Sequence, residues 1–194
     1  MAAGSFLILR TMVFKEADLQ IDALNTNGGK QHFLARSALK SKKRFGGGVL
    51  EAMNYVHLTY EDRKEKTEFV ALSEAKLIDG FSGIRSDYDR LQLGLSLAKD
   101  VSRITVQGSD DNGPIFNLFG NALKKLEHTK EIRLLQLHFR IKLLFYSGYL
   151  PNEDGHFNEF LHEPLQNCEK LKSHKLQSQL RSLSDHALRE LGIF

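Results

Sequence analysis

One cysteine, Cys168, is all the sequence offers in 194 residues. That excludes an intramolecular disulfide and a cysteine-rich zinc module, and it fits a reducing compartment. Proline is scarce as well, with three residues, and the chain is 41% hydrophobic and 26% charged. Such a composition excludes extended disorder. No window approaches the roughly eighteen apolar residues of a membrane span. The apolar opening MAAGSFLILRTMVF is broken by Arg10 and has no basic segment before it, so it lacks the layout of a secretory signal. These absences predict a cytoplasmic chain with no membrane association. Acidic residues are missing from one stretch. None lies between Asp22 and Glu51, while Lys30, Arg36, Lys40, Lys42, Lys43 and Arg44 are all positive. The net charge of +3 is unremarkable by itself; its concentration in one stretch implies a local field.

The chain is long enough to bury a core, in one domain or in two small ones. Its first eighty residues follow a period of two. FLIL at 6–9 reads as an opening strand, and Leu19, Ile21 and Ala23 alternate with polar neighbours in a second. KEAD and NTNGG separate the runs as turns, the latter because asparagine and glycine accept positive φ cheaply. QHFLA is a third strand, AMNYVHLTY at 52–60 a long fourth, and TEFVALSEAKL a fifth beyond the charged loop EDRKEK. Five short strands with a long loop after the third suggest a small closed barrel of the OB type. Periodicity alone leaves an SH3-like barrel open.

From about Asp87 the period becomes helical. YDRLQLGLSLAKDVSRI, GPIFNLFGNALKKLEH and EIRLLQLHFRIKLLFY read as helices, the last closed by Gly148 and Pro151. Further helices are expected at 157–172 and 184–191. The fold class is therefore α+β: an N-terminal five-stranded barrel at 1–82 and an all-helical domain at 83–194. The short boundary at 80–86 predicts halves that pack together.

No enzyme signature emerges. GGGV lacks the lysine and hydroxyl of a P-loop. Ser184, Asp185 and His186 are consecutive, and neighbours on a helix point about a hundred degrees apart, so they form no triad. Asp110 and Asp111 lie in a turn composition without EF-hand spacing. His156, His162, Cys168 and His174 recur every six residues, a step of about 240° on a helix that cannot converge four ligands on one metal. Neither metal nor cofactor is expected. What stands out is SALKSKKRFGGG at 37–48. A cationic loop between barrel strands can track phosphates and release counterions, with glycines giving it freedom to settle. His32, Phe33, Phe45 and Tyr55 are near enough in sequence to stack bases, Phe33 more naturally serving the core. A solvated charged face is the competing reading, and composition leaves both open.

The stretch from LILRTMVFKEADLQIDALNTNGG through KQHFLARSALKSKKRFGGGV resembles the opening of RecO, the bacterial recombinational DNA-repair mediator family. The matching features are a first strand ending at Arg10, a turn with Glu16 and Asp18, and a second turn with Thr26 and Gly28 or Gly29. Ala35, Arg36, Ser37 and Ala38 follow, then a basic loop at 40–47. Leu72, Ser73, Glu74 and Ala75 resemble an element of the family's last barrel strand, and FRIKLLFYSGYLP resembles its Gly-Tyr-x-Pro helix. The resemblance implies an N-terminal OB fold, a helical C-terminal domain, and binding and annealing of single- and double-stranded DNA. It also implies partnership with RecR, with the acidic C-terminal tail of single-stranded DNA-binding protein, and with RecA loading, none of it covalent catalysis. The sequence departs from the pattern where many members carry four cysteines: GYLPNEDGHFNEF follows instead. Glu51 and Ala52 replace Pro-Phe, and His138, Phe139 and Arg140 replace Arg-Phe-Glu.

On this reading Arg36, Lys40, Lys42, Lys43 and Arg44 hold phosphates, and Arg10 and Lys30 extend the track. Arg133 and Arg140 are candidates to receive an acidic peptide. The barrel groove and the seam between domains are both open as the DNA face. The alternatives are an adaptor whose main ligand is an acidic protein tail and, more distantly, an RNA-binding translation factor.

Overall fold

The computed structural model describes residues 1–61, 68–107, 113–150, 155 and 157–173, with isolated positions 178, 182, 185, 186 and 189 beyond. Five strands close into a barrel in the order β1-β2-β3-β5-β4: β1 (Ala2–Phe14), β2 (Asp18–Asn25), β3 (Lys30–Ala35), β4 (Tyr55–Tyr60) and β5 (Val70–Asp79). β1 is thirteen residues long, far longer than the four-residue apolar run that marks it. Its first half pairs with β4 and its second half with β2, and a bulge between Ile8 and Arg10 lets one strand serve both neighbours. β3 and β5 close the barrel through a short parallel pairing, Phe33 to Val70 and Leu34 to Ala71. The architecture is the five-stranded OB-type barrel, with a helical region after it.

The period of two does its expected work. Phe6, Ile8, Ile21, Ala23, Phe33, Ala35, Val56, Leu58, Leu72 and Ala75 fill the interior. Phe33 meets Phe6 and Tyr60 edge-on, each with ring centroids 5.2 Å apart, the arrangement aromatic quadrupoles favour. At the β2–β3 turn Asn25 Oδ1 accepts hydrogen bonds from the Asn27 and Gly29 amides, both 2.9 Å, and Gly28 takes φ 82°. The fourth strand is shorter than 52–60, because Met53 turns the chain at φ 73° and Asn54 donates its amide to the Gly48 and Val49 carbonyls. The loop 61–66 lies outside the described residues apart from Glu61.

The helical region comprises α2 (Ser82–Arg85), α3 (Tyr88–Ile104), α4 (Gly113–Leu126), α5 (Ile132–Tyr146) and α6 (Asn158–His162), after a short α1 (Lys42–Phe45) in the β3–β4 connection. The chain divides into two compact units. One is Met1–Phe81 with Thr105–Phe116, the other Ser82–Ile104 with Asn117–Phe194. Within the second, α5 is buried on nearly every side, from Leu134 to Leu144, as its apolar content dictates. Gly148 ends it at φ 75°, and the Tyr149 amide reaches back 2.9 Å to the Leu144 carbonyl. The single helix expected at 157–172 is broken. Pro164 has no amide to donate and disfavours helical geometry in the residue before it. Glu163 is accordingly extended, and a 3-10 stretch, Leu165–Ser173, follows. The helix expected at 184–191 lies mostly outside the described residues. Among those residues no helix is long and apolar enough to cross a membrane.

Candidate nucleic-acid interface

The basic stretch is a folded plug rather than an open loop. Ala38–Lys40 forms one 3-10 turn and α1 one helical turn, the latter capped where Ser41 Oγ accepts the Arg44 amide. Phe45 is buried with Ala38, Val49 and Leu50 in the barrel core. This anchors both ends of the turn and leaves Lys40, Lys42, Lys43 and Arg44 facing solvent. The Arg44 guanidinium lies 5.0 Å from the Phe45 ring centroid and donates to the Arg36 carbonyl at 3.1 Å. Arg36, itself exposed, is thereby tied to α1. The glycines serve shape. A Cβ on Gly46 would stand 2.2 Å from the Lys42 carbonyl oxygen, and Gly47 and Gly48 hold φ 68° and 71°, conformations that side chains with a Cβ disfavour.

Arg10 and Lys30 sit differently. Arg10 is exposed on β1 opposite Asp22, and His32 Nδ1 lies 2.5 Å from Asp22 Oδ1. Asp22 thus stands in register between Arg10 and His32 on the two neighbouring strands. Burial draws the Lys30 ammonium below its usual range, with Asp22 opposing that shift. Phe33 and Phe45 are core residues, which removes them as stacking surfaces. Tyr55 is half-buried, edge-on to Phe116 at 6.0 Å.

In the helical unit, Arg140 is 7% exposed. Its Nε donates to Asp100 and its Nη1 to Asp185, each at 3.0 Å. A doubly paired buried guanidinium has no face for an acidic peptide, so that candidate fails at Arg140. The reason is tertiary: Asp100 comes from α3 and Asp185 from the region after the 3-10 stretch. Burial raises the Asp100 carboxyl despite the arginine beside it. Arg133 is exposed and lines a cleft of about 580 Å³ with Lys130, Glu131, Ile132, Asp89 and Leu93. Lys130 escaped the sequence reading because it stands alone in a turn; only its position just before α5 could have marked it. His138 is buried, its Nε2 2.7 Å from the Phe160 carbonyl, and Lys142 donates to the Leu161 carbonyl at 2.6 Å. Both therefore satisfy carbonyls of α6. Burial pushes the His138 imidazole down to about 4. His162 is exposed and Cys168 buried, with burial raising the thiol to about 11; His156 and His174 lie outside the described residues. No group of three metal-competent side chains occurs among the described residues.

Comparison with known proteins converges on one family. The sequence profile described as Recombination protein O N terminal matches residues 1–81, and that described as Recombination protein O C terminal matches residues 85–186. The chain belongs to the RecO family. The protein named DNA repair protein RecO from Maridesulfovibrio salexigens is 32% identical over 146 residues, covering 75% of this chain and 58% of that relative. Those of Desulfatibacillum aliphaticivorans and Rubrobacter xylanophilus are 32% and 29% identical over 151 and 150 residues, covering 77% of this chain and 58% of each relative. The match to these RecO proteins thus spans less than two thirds of their length. In this chain's barrel the basic plug occupies the β3–β4 connection.

Proposed function

We propose that the chain is a cytoplasmic DNA-repair and recombination mediator that binds single- and double-stranded DNA through its barrel unit. Arg36, Lys40, Lys42, Lys43 and Arg44 hold phosphates, with Arg10 extending the track and the partly desolvated Lys30 contributing least. Strands held by phosphate contacts keep their base edges free, so two such strands can anneal. Together with RecR and single-stranded DNA-binding protein, the chain helps load RecA. None of these steps makes or breaks a covalent bond. One observation carries the reading. Four cations stand in solvent on a connector whose Phe45 is locked into the barrel core, which pre-organises a positive surface, with Arg44 further held by the Arg36 carbonyl. The RecO names of the relatives support the repair context.

The test is the salt dependence of binding. Replacing Arg36, Lys40, Lys42, Lys43 and Arg44 by glutamine is expected to weaken binding of labelled single-stranded DNA at least tenfold. It should flatten log Kd against log salt by about one unit for each phosphate that the variant no longer neutralises. An unchanged slope removes the segment from the interface. A second reading rests on the cleft at Lys130 and Arg133, where these two cations, with Asp89 and Glu131 also in the lining, border the apolar Leu93 and Ile132. It makes the chain chiefly an adaptor for an acidic protein tail, such as that of single-stranded DNA-binding protein. Tight binding of an acidic tail peptide, with DNA bound no better than a neutral polymer, would favour it; RNA bound in preference to DNA would instead indicate a translation factor.

A further inference from the structure

The bulge in β1 sets which residues face outward beyond it. Thr11 pairs with Ile21, a core residue, while Arg10 pairs with Asp22 and Phe14 with Asp18. Arg10, Met12 and Phe14 therefore share the outer face of one strand. Phe14 is 41% exposed at its end, and Lys15 Nζ lies 5.4 Å from the ring centroid. Lys15 holds φ 58°, a conformation cheaper for glycine or asparagine. Two hydrogen bonds join this tip to the basic plug: the Ser37 amide donates to Asp18 Oδ1 at 2.8 Å, and the Leu39 amide to the Ala17 carbonyl at 3.0 Å. Val13 and Leu39 stand 66% and 55% exposed on the joined segments.

On the outer face the tip thus offers the exposed Phe14 ring with Lys15 beside it. Val13, paired with Leu19, belongs to the other face of the strand, and Leu39 and Lys40 are exposed on the segment bonded to the turn. Asp18 is committed to the Ser37 amide, and Glu16 is the exposed acid in the turn. A ligand complementary to this edge has a flat apolar face attached to an anion, which describes an unstacked nucleotide. A duplex hides its base faces in the stack, whereas a single strand offers them.

We propose that Phe14 is a base-stacking surface and Lys15 a phosphate contact, so that the β1–β2 tip continues the basic plug and gives it a preference for single strands. The inference rests on the DNA-binding reading above. The test compares the full chain with Phe14→Ala, Phe14→Trp and Lys15→Gln on three probes: a short oligothymidylate, an abasic strand of equal length, and a duplex. Phe14→Ala is expected to weaken oligothymidylate binding about tenfold, to leave the abasic strand and duplex unchanged, and to be rescued by Phe14→Trp. Lys15→Gln is expected to weaken all three alike and lower the salt slope by about one. Equal weakening on all three probes in Phe14→Ala, or no weakening, overturns the stacking role while leaving DNA binding intact. A parent chain that binds none of the probes overturns the DNA-binding reading itself. Unchanged thermal melting of the variants keeps misfolding out of the comparison.

Discussion

The plug at residues 38–45 and helix α5 are both rich in basic residues, yet they put charge to opposite uses. Lys40, Lys42, Lys43 and Arg44 stand in solvent, because Phe45 carries the packing for all of them. On α5, His138, Arg140 and Lys142 are buried, each bonded to a carboxylate or carbonyl of another segment. A cation in solvent keeps its field for a ligand. One that is buried and paired has spent that field within the fold, and removing it leaves its partner desolvated and alone. Local charge density in a sequence is therefore a poor guide to binding until burial is known.

Substitution at Arg140 tests this contrast most severely. Arg140→Met is expected to destabilise the helical unit by about 3–5 kcal/mol, since Asp100 would stay buried without the guanidinium that bonds to it. Replacing Asp100 by leucine in the same chain should recover much of that stability. Urea unfolding would measure both, and a change under about 1 kcal/mol in the single variant would mean that Arg140 is not held as described. Phe45 probes the other side. Phe45→Ala is expected to cost about 3 kcal/mol and also to weaken DNA binding, although no charge is removed. Reduced stability with DNA affinity intact would show that the cations need no anchor.

The smallest effect is pH. The folded His138 is held at about 4, while the unfolded side chain titrates near 6.5. Between those values the unfolded chain binds more protons, so stability falls as pH falls through this window. From pH 7 to pH 5 the helical unit should lose roughly 2 kcal/mol, and His138→Gln should abolish that slope. The test is thermal melting across the pH series; a slope retained in His138→Gln would assign it to other groups.

Much of the barrel was legible in advance. Alternation in Leu19, Ile21 and Ala23, and the turn chemistry of NTNGG, are local properties that survive folding unchanged. The ends of strands were less so. β1 exceeds its apolar run because its outer residues pair with two different strands, and β4 begins late because Met53 and Asn54 form a turn whose partners lie elsewhere. The break at Pro164 was visible in the sequence as a residue without an amide, and the helical period around it masked the signal. At the candidate interface, the missing acids between Asp22 and Glu51 pointed to the basic plug, whereas Phe14 and Lys15 carry no motif. Only the hydrogen bonds from Ser37 and Leu39 bring them to that edge.

The sequence by itself determined the five-strand pattern, the switch to helical period near Asp87 and the concentration of positive charge, because each depends on residue type and near-neighbour spacing. Tertiary structure alone decided which cations are free to act. Desolvation and pairing depend on segments far apart in the chain: Asp100 and Asp185 close on Arg140, the core takes Phe45 and leaves Lys42 and Lys43 outside, and the barrel's own pairing sets Asp22 between Arg10 and His32.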